Sequence, residues 1–153
     1  MTDFETGLNA LLVGAFNNIL KYEARSLQNI SENPVTISEA HMLEYIAKQE
    51  GEATVSGIAA DLQLAVPTAT VAVKKLERKG YVTKAPCAGD GRRAHICLTE
   101  NGSRVNRAHA IFHQRMVRSI ARQFGEAEKE ILLAVIKKLG DFFENKQGLA
   151  VGV

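Results

Sequence analysis

The chain has 153 residues, 46% hydrophobic and 24% charged, with a formal net charge of +2. That length and balance describe one ordinary domain able to bury its own core, and the charge total alone makes no case for a polyanionic partner. No apolar run is long enough to span a bilayer, the polar start Met1–Glu5 does not read as a signal sequence, and two cysteines, Cys87 and Cys97, make no disulfide framework, so the expected setting is the cytoplasm, away from membranes.

In chain order, Phe4, Leu8, Leu11, Leu12, Ala15, Phe16, Ile19 and Leu20 recur at helical spacing and predict a long amphipathic helix. Pro34 closes a polar break. Ser38 reads as the N-cap of a short helix with Met42, Leu43 and Ile46 inward, ended by Gly51. Thr54 caps the next, with Ile58, Ala59 and Leu62 as its apolar positions. After Gln63-Leu64-Ala65 a further helix carries Pro67 in its first turn, turns Ala69, Val73 and Leu76 inward and stops at Gly80. Two short helices across a tight link are the pattern of a helix-turn-helix.

Tyr81 to Lys84 predicts a strand, Ala88-Gly89-Asp90-Gly91 a turn, and Ala94 to Leu98 a returning strand. This hairpin carries Arg92 and Arg93 at its tip. Thr99 caps a long helix with Val105, Ala108, Phe112, Met116, Ile120 and Phe124 on one face. A last helix, about Glu126 to Asn145, presents Ile131, Leu132, Val135, Ile136, Leu139, Phe142 and Phe143, and the tail from Gly148 to Val153 is expected to fray. The fold class is mostly α within α+β: a winged helix-turn-helix over residues 34–98, a dimerisation helix over 1–33, and dimerisation helices with a tail over 99–153. The outer helices are apolar over more surface than one small core needs, which favours a homodimer seam over a simple cover. Such a dimer would set two reading helices in successive major grooves, roughly 34–36 Å apart.

The residues now resemble the MarR family of winged-helix regulators, over about Phe4 to Asn145. The resemblance lies in Leu76-Glu77-Arg78-Lys79-Gly80-Tyr81-Val82, then Asp90-Gly91-Arg92, then Leu98-Thr99-Glu100-Asn101-Gly102, three motifs in the family's order and spacing. Two positions depart from it: Ala65 stands where the family caps its recognition helix with Ser or Thr, and His41 where Gln is frequent. The resemblance implies a DNA-binding transcription regulator, a repressor, on double-stranded DNA. It also implies that Arg92 enters the minor groove with Asp90 orienting its guanidinium; narrow A·T-rich grooves attract such an arginine. Arg93 is the expected phosphate neighbour.

On the recognition helix, Val66, Thr68, Thr70, Val71, Lys74, Lys75 and Arg78 are not needed for the core. Thr68 and Thr70 can bond base edges or phosphates, Val66 and Val71 suit thymine methyls, and Lys74 and Lys75 suit phosphates. A solvated basic face is the competing reading, but bare solvent gives two outward valines nothing.

Three controls of DNA affinity are open. Phe16 to Leu20, Ile37 to His41 and Phe112 to Val117 resemble the fatty-acid-synthesis repressors of this family, which implies an acyl chain, presented by acyl carrier protein, as effector. His109 and His113, four apart on one helix, have zinc-chelating spacing, and His41 with an oxygen from Glu23, Glu39 or Glu44 would complete a site; the family's zinc-uptake repressors use histidines in similar places, while polar residues on partly exposed helices are the plainer reading. Cys87 and Cys97 would face each other across the hairpin and could clamp it on oxidation, although inert thiols are favoured. No cofactor is required by any of these readings. No Ser-His-Asp set, phosphate loop or paired carboxylates suggest an enzyme. A winged helix used only for protein–protein contact is the alternative outside this class, and the basic character of Lys74, Lys75, Arg78, Arg92 and Arg93 speaks against it.

Overall fold

Helix starts in this chain are set by short polar side chains that accept from backbone N–H groups left over by the first turn. A computed structural model describes residues 1–87 and 90–147, with the side chains of 86–93 and 145–147 outside the description. In it Thr2 caps α1 (Asp3–Leu27), Thr36 caps α2 (Ile37–Lys48) and Thr54 caps α3 (Val55–Asp61). The expected cap at Ser38 is corrected: Thr36 Oγ1 accepts from the Glu39 N–H at 3.2 Å, and Glu39 Oε2 accepts from the Thr36 N–H at 2.9 Å. That reciprocal box needs a carboxylate three residues after the cap, which Thr36 has in Glu39 and Ser38 lacks in His41.

α4 (Val66–Arg78) starts at Ala65 without a side-chain cap, with Pro67 in its first turn, where its missing N–H is no loss. α3 and α4 meet at 112°, the angle of a helix-turn-helix. Gly80, at φ +78°, lets α4 end by returning the Tyr81 N–H to the Leu76 carbonyl at 3.0 Å. β1 (Val82–Cys87) and β2 (Asp90–Leu98) pair antiparallel, Val82 opposite Leu98 and Lys84 opposite Ile96, and both run longer than the sequence predicts. A single bridge from Ala53 to Ile96, not foreseen, ties the hairpin to the segment before α3. The tip residues Ala88 and Gly89 and the tail from Gly148 lie outside the described residues. α5 (Glu100–Ala121) and α6 (Glu126–Gln147) complete the order.

The chain forms two compact units, Met1–Phe112 and His113–Val153. The first holds the core: Leu43 and Ile46 of α2, Ile58 of α3, Val73 and Leu76 of α4, and Ile96 of the hairpin are buried together as the apolar spacing predicts. α1 enters that core only near its end, at Glu23 and Leu27, and its apolar stripe is left bare, Phe4 at 75% and Phe16 at 52% exposure. In the second unit, none of the described residues of α6 is buried, and Ile131, Leu133, Ile136, Phe142 and Phe143 are exposed. No single helix among the described residues is long and apolar enough to cross a membrane.

Candidate nucleic-acid interface

The outer face of α4 follows from its inner one. Because Ala69, Val73 and Leu76 are buried, the residues between them face out. Val66, Thr68, Val71, Lys74, Lys75 and Arg78 are all exposed. Val71, at 67% exposure, forms with Lys74, Glu77, Arg78 and Lys84 a shallow hollow between α4 and β1. An apolar side chain among three cations is poorly served by water and well suited to a groove that offers methyl groups beside phosphates. Thr70 is half-buried, and its hydroxyl donates to the Val66 carbonyl at 2.8 Å, so it meets a base or phosphate as an acceptor or after rotating.

Lys84 was not singled out by the sequence, although its place on a strand just after the helix was the available signal. It lies 3.6 Å from Glu77, a loose surface pair worth little. Asp90, Arg92 and Arg93 sit on β2, and their side chains lie outside the described residues.

Lys75 and Lys79 are less free than a solvated helix face would leave them. The Glu39 carboxylate, on α2, accepts from Lys79 Nζ at 2.7 and 2.9 Å and lies 3.3 Å from Lys75 Nζ. Lys79 Nζ also donates to the Pro34 carbonyl at 2.7 Å. Burial pushes the Glu39 carboxyl up, but hydrogen bonds from Lys79, the Thr36 backbone and Lys75 outweigh it and hold it below the ordinary glutamate range. Glu39 therefore serves α4 and is not free to serve a metal.

Elsewhere in the first unit, buried His109 and exposed His41 meet on one carboxylate. Glu23 Oε1, on α1, lies 2.7 Å from His109 Nε2 and 3.1 Å from His41 Nε2, with the two imidazole centroids 5.6 Å apart. Glu23 is 4% exposed and His109 1%, so the expectation of partly exposed polar residues is corrected for His109. A buried carboxylate needs donors or a cation, and here two ring N–H groups converge on one oxygen. One carboxylate oxygen and two imidazole nitrogens within 4.8 Å of one another are a donor set that fits zinc. His113 follows four residues after His109 on α5 and belongs to the second unit. Glu44, also considered as a ligand, is taken by Lys48 at 2.7 Å, the first cause of its lowered pKa.

The cysteine clamp is corrected by the strand register. Cys97 pairs with Thr83 and Cys87 with Asp90, so the two are not opposite each other. Cys97 Sγ instead meets the Gly51 carbonyl at 3.7 Å.

A family model described as MarR family matches residues 33–93. Among solved structures, FabT of Streptococcus pneumoniae in complex with DNA is 30% identical, with a TM-score of 0.85, covering 92% of this chain and 98% of that one. A single-substitution variant of S. aureus MepR bound to an oligodeoxyribonucleotide is 27% identical, with a TM-score of 0.60, over 88% of this chain and 97% of that one. A third, a MarR family transcription regulator 20% identical over 96% of this chain and 97% of its own, shares the fold at a TM-score of 0.77. No curated protein matches.

Proposed function

The chain belongs to the MarR family, and from that premise we propose that it acts as a homodimeric repressor on a two-fold symmetric operator, its DNA affinity set by a small effector. Membership makes it a DNA-binding transcription regulator and not an enzyme. The observation that carries the finer reading is the outer face of α4, where Val66 and Val71 stand exposed beside Lys74 and Arg78 behind a 112° turn. The bare apolar stripe of α1 supports the homodimer, since a face with Phe4, Leu11 and Phe16 exposed is costly in water and matches a second copy of itself. The wing, through Asp90, Arg92 and Arg93, would add minor-groove and phosphate contacts. A cytoplasmic place follows from the role.

Selection from a random duplex pool tests the reading, together with sedimentation of the protein alone. A palindromic site with half-sites one helical turn apart, bound by a dimer, is the expected result. A stable monomer, or a pool with no enriched sequence, refutes it.

For the effector, the resemblance of Phe16 to Leu20, Ile37 to His41 and Phe112 to Val117 to the fatty-acid-synthesis repressors supports an acyl chain, delivered on acyl carrier protein. A second reading has its own observation: the Glu23 carboxylate and the His41 and His109 imidazoles meet, with Glu23 and His109 buried and His41 exposed, and we propose zinc as their ligand. Zinc would need the lone pair of each ligating imidazole nitrogen, so it would displace the hydrogen bonds that both rings now give Glu23. Calorimetric titration of chelator-stripped protein with zinc separates the readings: binding at or below micromolar zinc supports the metal, and its absence, with a response to acyl chains, supports the lipid signal.

A further inference from the structure

The link between α1 and α2 and the first turns of α5 border a hollow of about 240 Å³ in the first unit. Ser31 and Glu32 line it from the link, Tyr81 from the turn between α4 and β1, and Asn101 and Arg104 from α5. Glu32 and Arg104 are exposed, and among the described residues neither side chain has an ion-pair partner, each other included. Lys79 also lines the hollow, but its ammonium is already held by Glu39 and the Pro34 carbonyl. One uncommitted charge of each sign therefore faces the same space from two different elements.

The groups between those charges have a direction. The hydroxyls of Ser31 and Tyr81 touch each other and both donate to the Asn33 carbonyl, at 2.7 and 2.6 Å. What they offer a further group is lone pairs. On the α5 side, the Arg104 guanidinium can only donate, and the Asn101 amide can donate beside it.

We propose that this hollow binds a small zwitterion of the free amino-acid class, its ammonium toward Glu32 and the two hydroxyl oxygens, its carboxylate toward Arg104 and the Asn101 amide. The proposal is independent of the reading of α4 and of the effector.

The charge pattern selects the class. A phosphate or a simple carboxylate would gain Arg104 but meet the Glu32 carboxylate, with Lys79 already neutralised by Glu39. A simple cation would gain Glu32 and meet Arg104. A ligand that is neutral overall, with its two charges apart, opposes neither. The polar lining gives a large apolar side chain nothing to bury against, so the ligand is small or polar. Because both charged residues are exposed, each ion pair is weak, and affinity in about the millimolar range is expected.

Amide NMR spectra of the full chain, titrated with three matched probes, test the site. L-alanine carries both charges, propionate lacks the ammonium and ethylamine lacks the carboxylate. L-alanine should shift the amides of Glu32, Tyr81, Asn101 and Arg104 saturably, and each half-probe should bind about 3- to 5-fold more weakly. Glu32→Gln should remove the advantage of L-alanine over propionate, and Arg104→Gln its advantage over ethylamine. Both side chains are exposed, so both variants should melt with the parent. Propionate binding as well as L-alanine would make the hollow a plain anion site and overturn the proposal, as would ethylamine binding equally well. No saturable shift up to about 50 mM L-alanine, shifts centred away from the hollow, or an advantage that survives its substitution would overturn it too.

Discussion

Gly102 and Tyr81 approach so closely that a Cβ on Gly102 would run into the Tyr81 carbonyl oxygen. The contact is made by Thr99, which lies between wing and α5: its N–H donates to the Tyr81 carbonyl at 3.0 Å, and its hydroxyl donates to the Gly80 carbonyl at 2.6 Å while accepting from the Gly102 N–H at 3.1 Å. Here the spacing of Thr99 and Gly102 has a physical reason: the first turn of α5 is pressed against the backbone that ends α4. Gly102→Ala should destabilise the protein by about 1–3 kcal/mol, the usual cost of forcing an atom into packed structure. Urea unfolding checks it, and a stability equal to the parent would contradict the close approach.

The cap of α2 separates two neighbouring residues. Thr36→Ala should cost about 1 kcal/mol, while Ser38→Ala should cost a few tenths at most, because only Thr36 accepts from the backbone. Thermal melts of the two variants, side by side, distinguish them.

Lys79→Met removes two hydrogen bonds to a buried carboxylate and should cost about 1.5–3 kcal/mol at neutral pH. The pH dependence has a definite sign. The folded Glu39 pKa is lowered, so its stabilisation is present above the ordinary glutamate pKa of the unfolded chain and is lost as pH falls through the folded value. The gap between parent and Lys79→Met should therefore narrow in acid, and a constant gap in unfolding experiments across that range would contradict the pairing.

In the proposed DNA complex, the α4 face would divide into positions that hold and positions that read. Lys74→Ala should weaken binding on all duplexes alike and reduce the salt slope by about one unit. Val71→Ser should instead alter preference at a thymine position, by about 1–3 kcal/mol at most. Competition among duplex variants measures both, and a uniform loss for Val71→Ser would remove it from the base-reading set.

Much of the fold was legible in the sequence because each helix of the first unit carries its own punctuation: Thr54, Pro67 and Gly80 fall where the chain turns, and Ala69, Val73 and Leu76 keep helical spacing. Ser38 was misread because two hydroxyl residues precede α2 and only the carboxylate at Glu39 tells them apart. The outer face of α4 was readable as the complement of its buried face. The Glu39–Lys79 contact was not, since the residues are 40 apart and nothing local marks the pairing. His109 shows the same limit: its spacing to His113 was visible, but its burial depends on Glu23, 86 residues away.

The central claim is that the α4 face and wing meet a nucleic-acid backbone. Its most direct measurement is the affinity for a random-sequence duplex at salt concentrations from about 50 to 200 mM, the range in which phosphate contacts lose most affinity. The account predicts a straight fall of log affinity against log salt, with a slope of several units for two protomers bound together. An affinity that stays level across the series would contradict it.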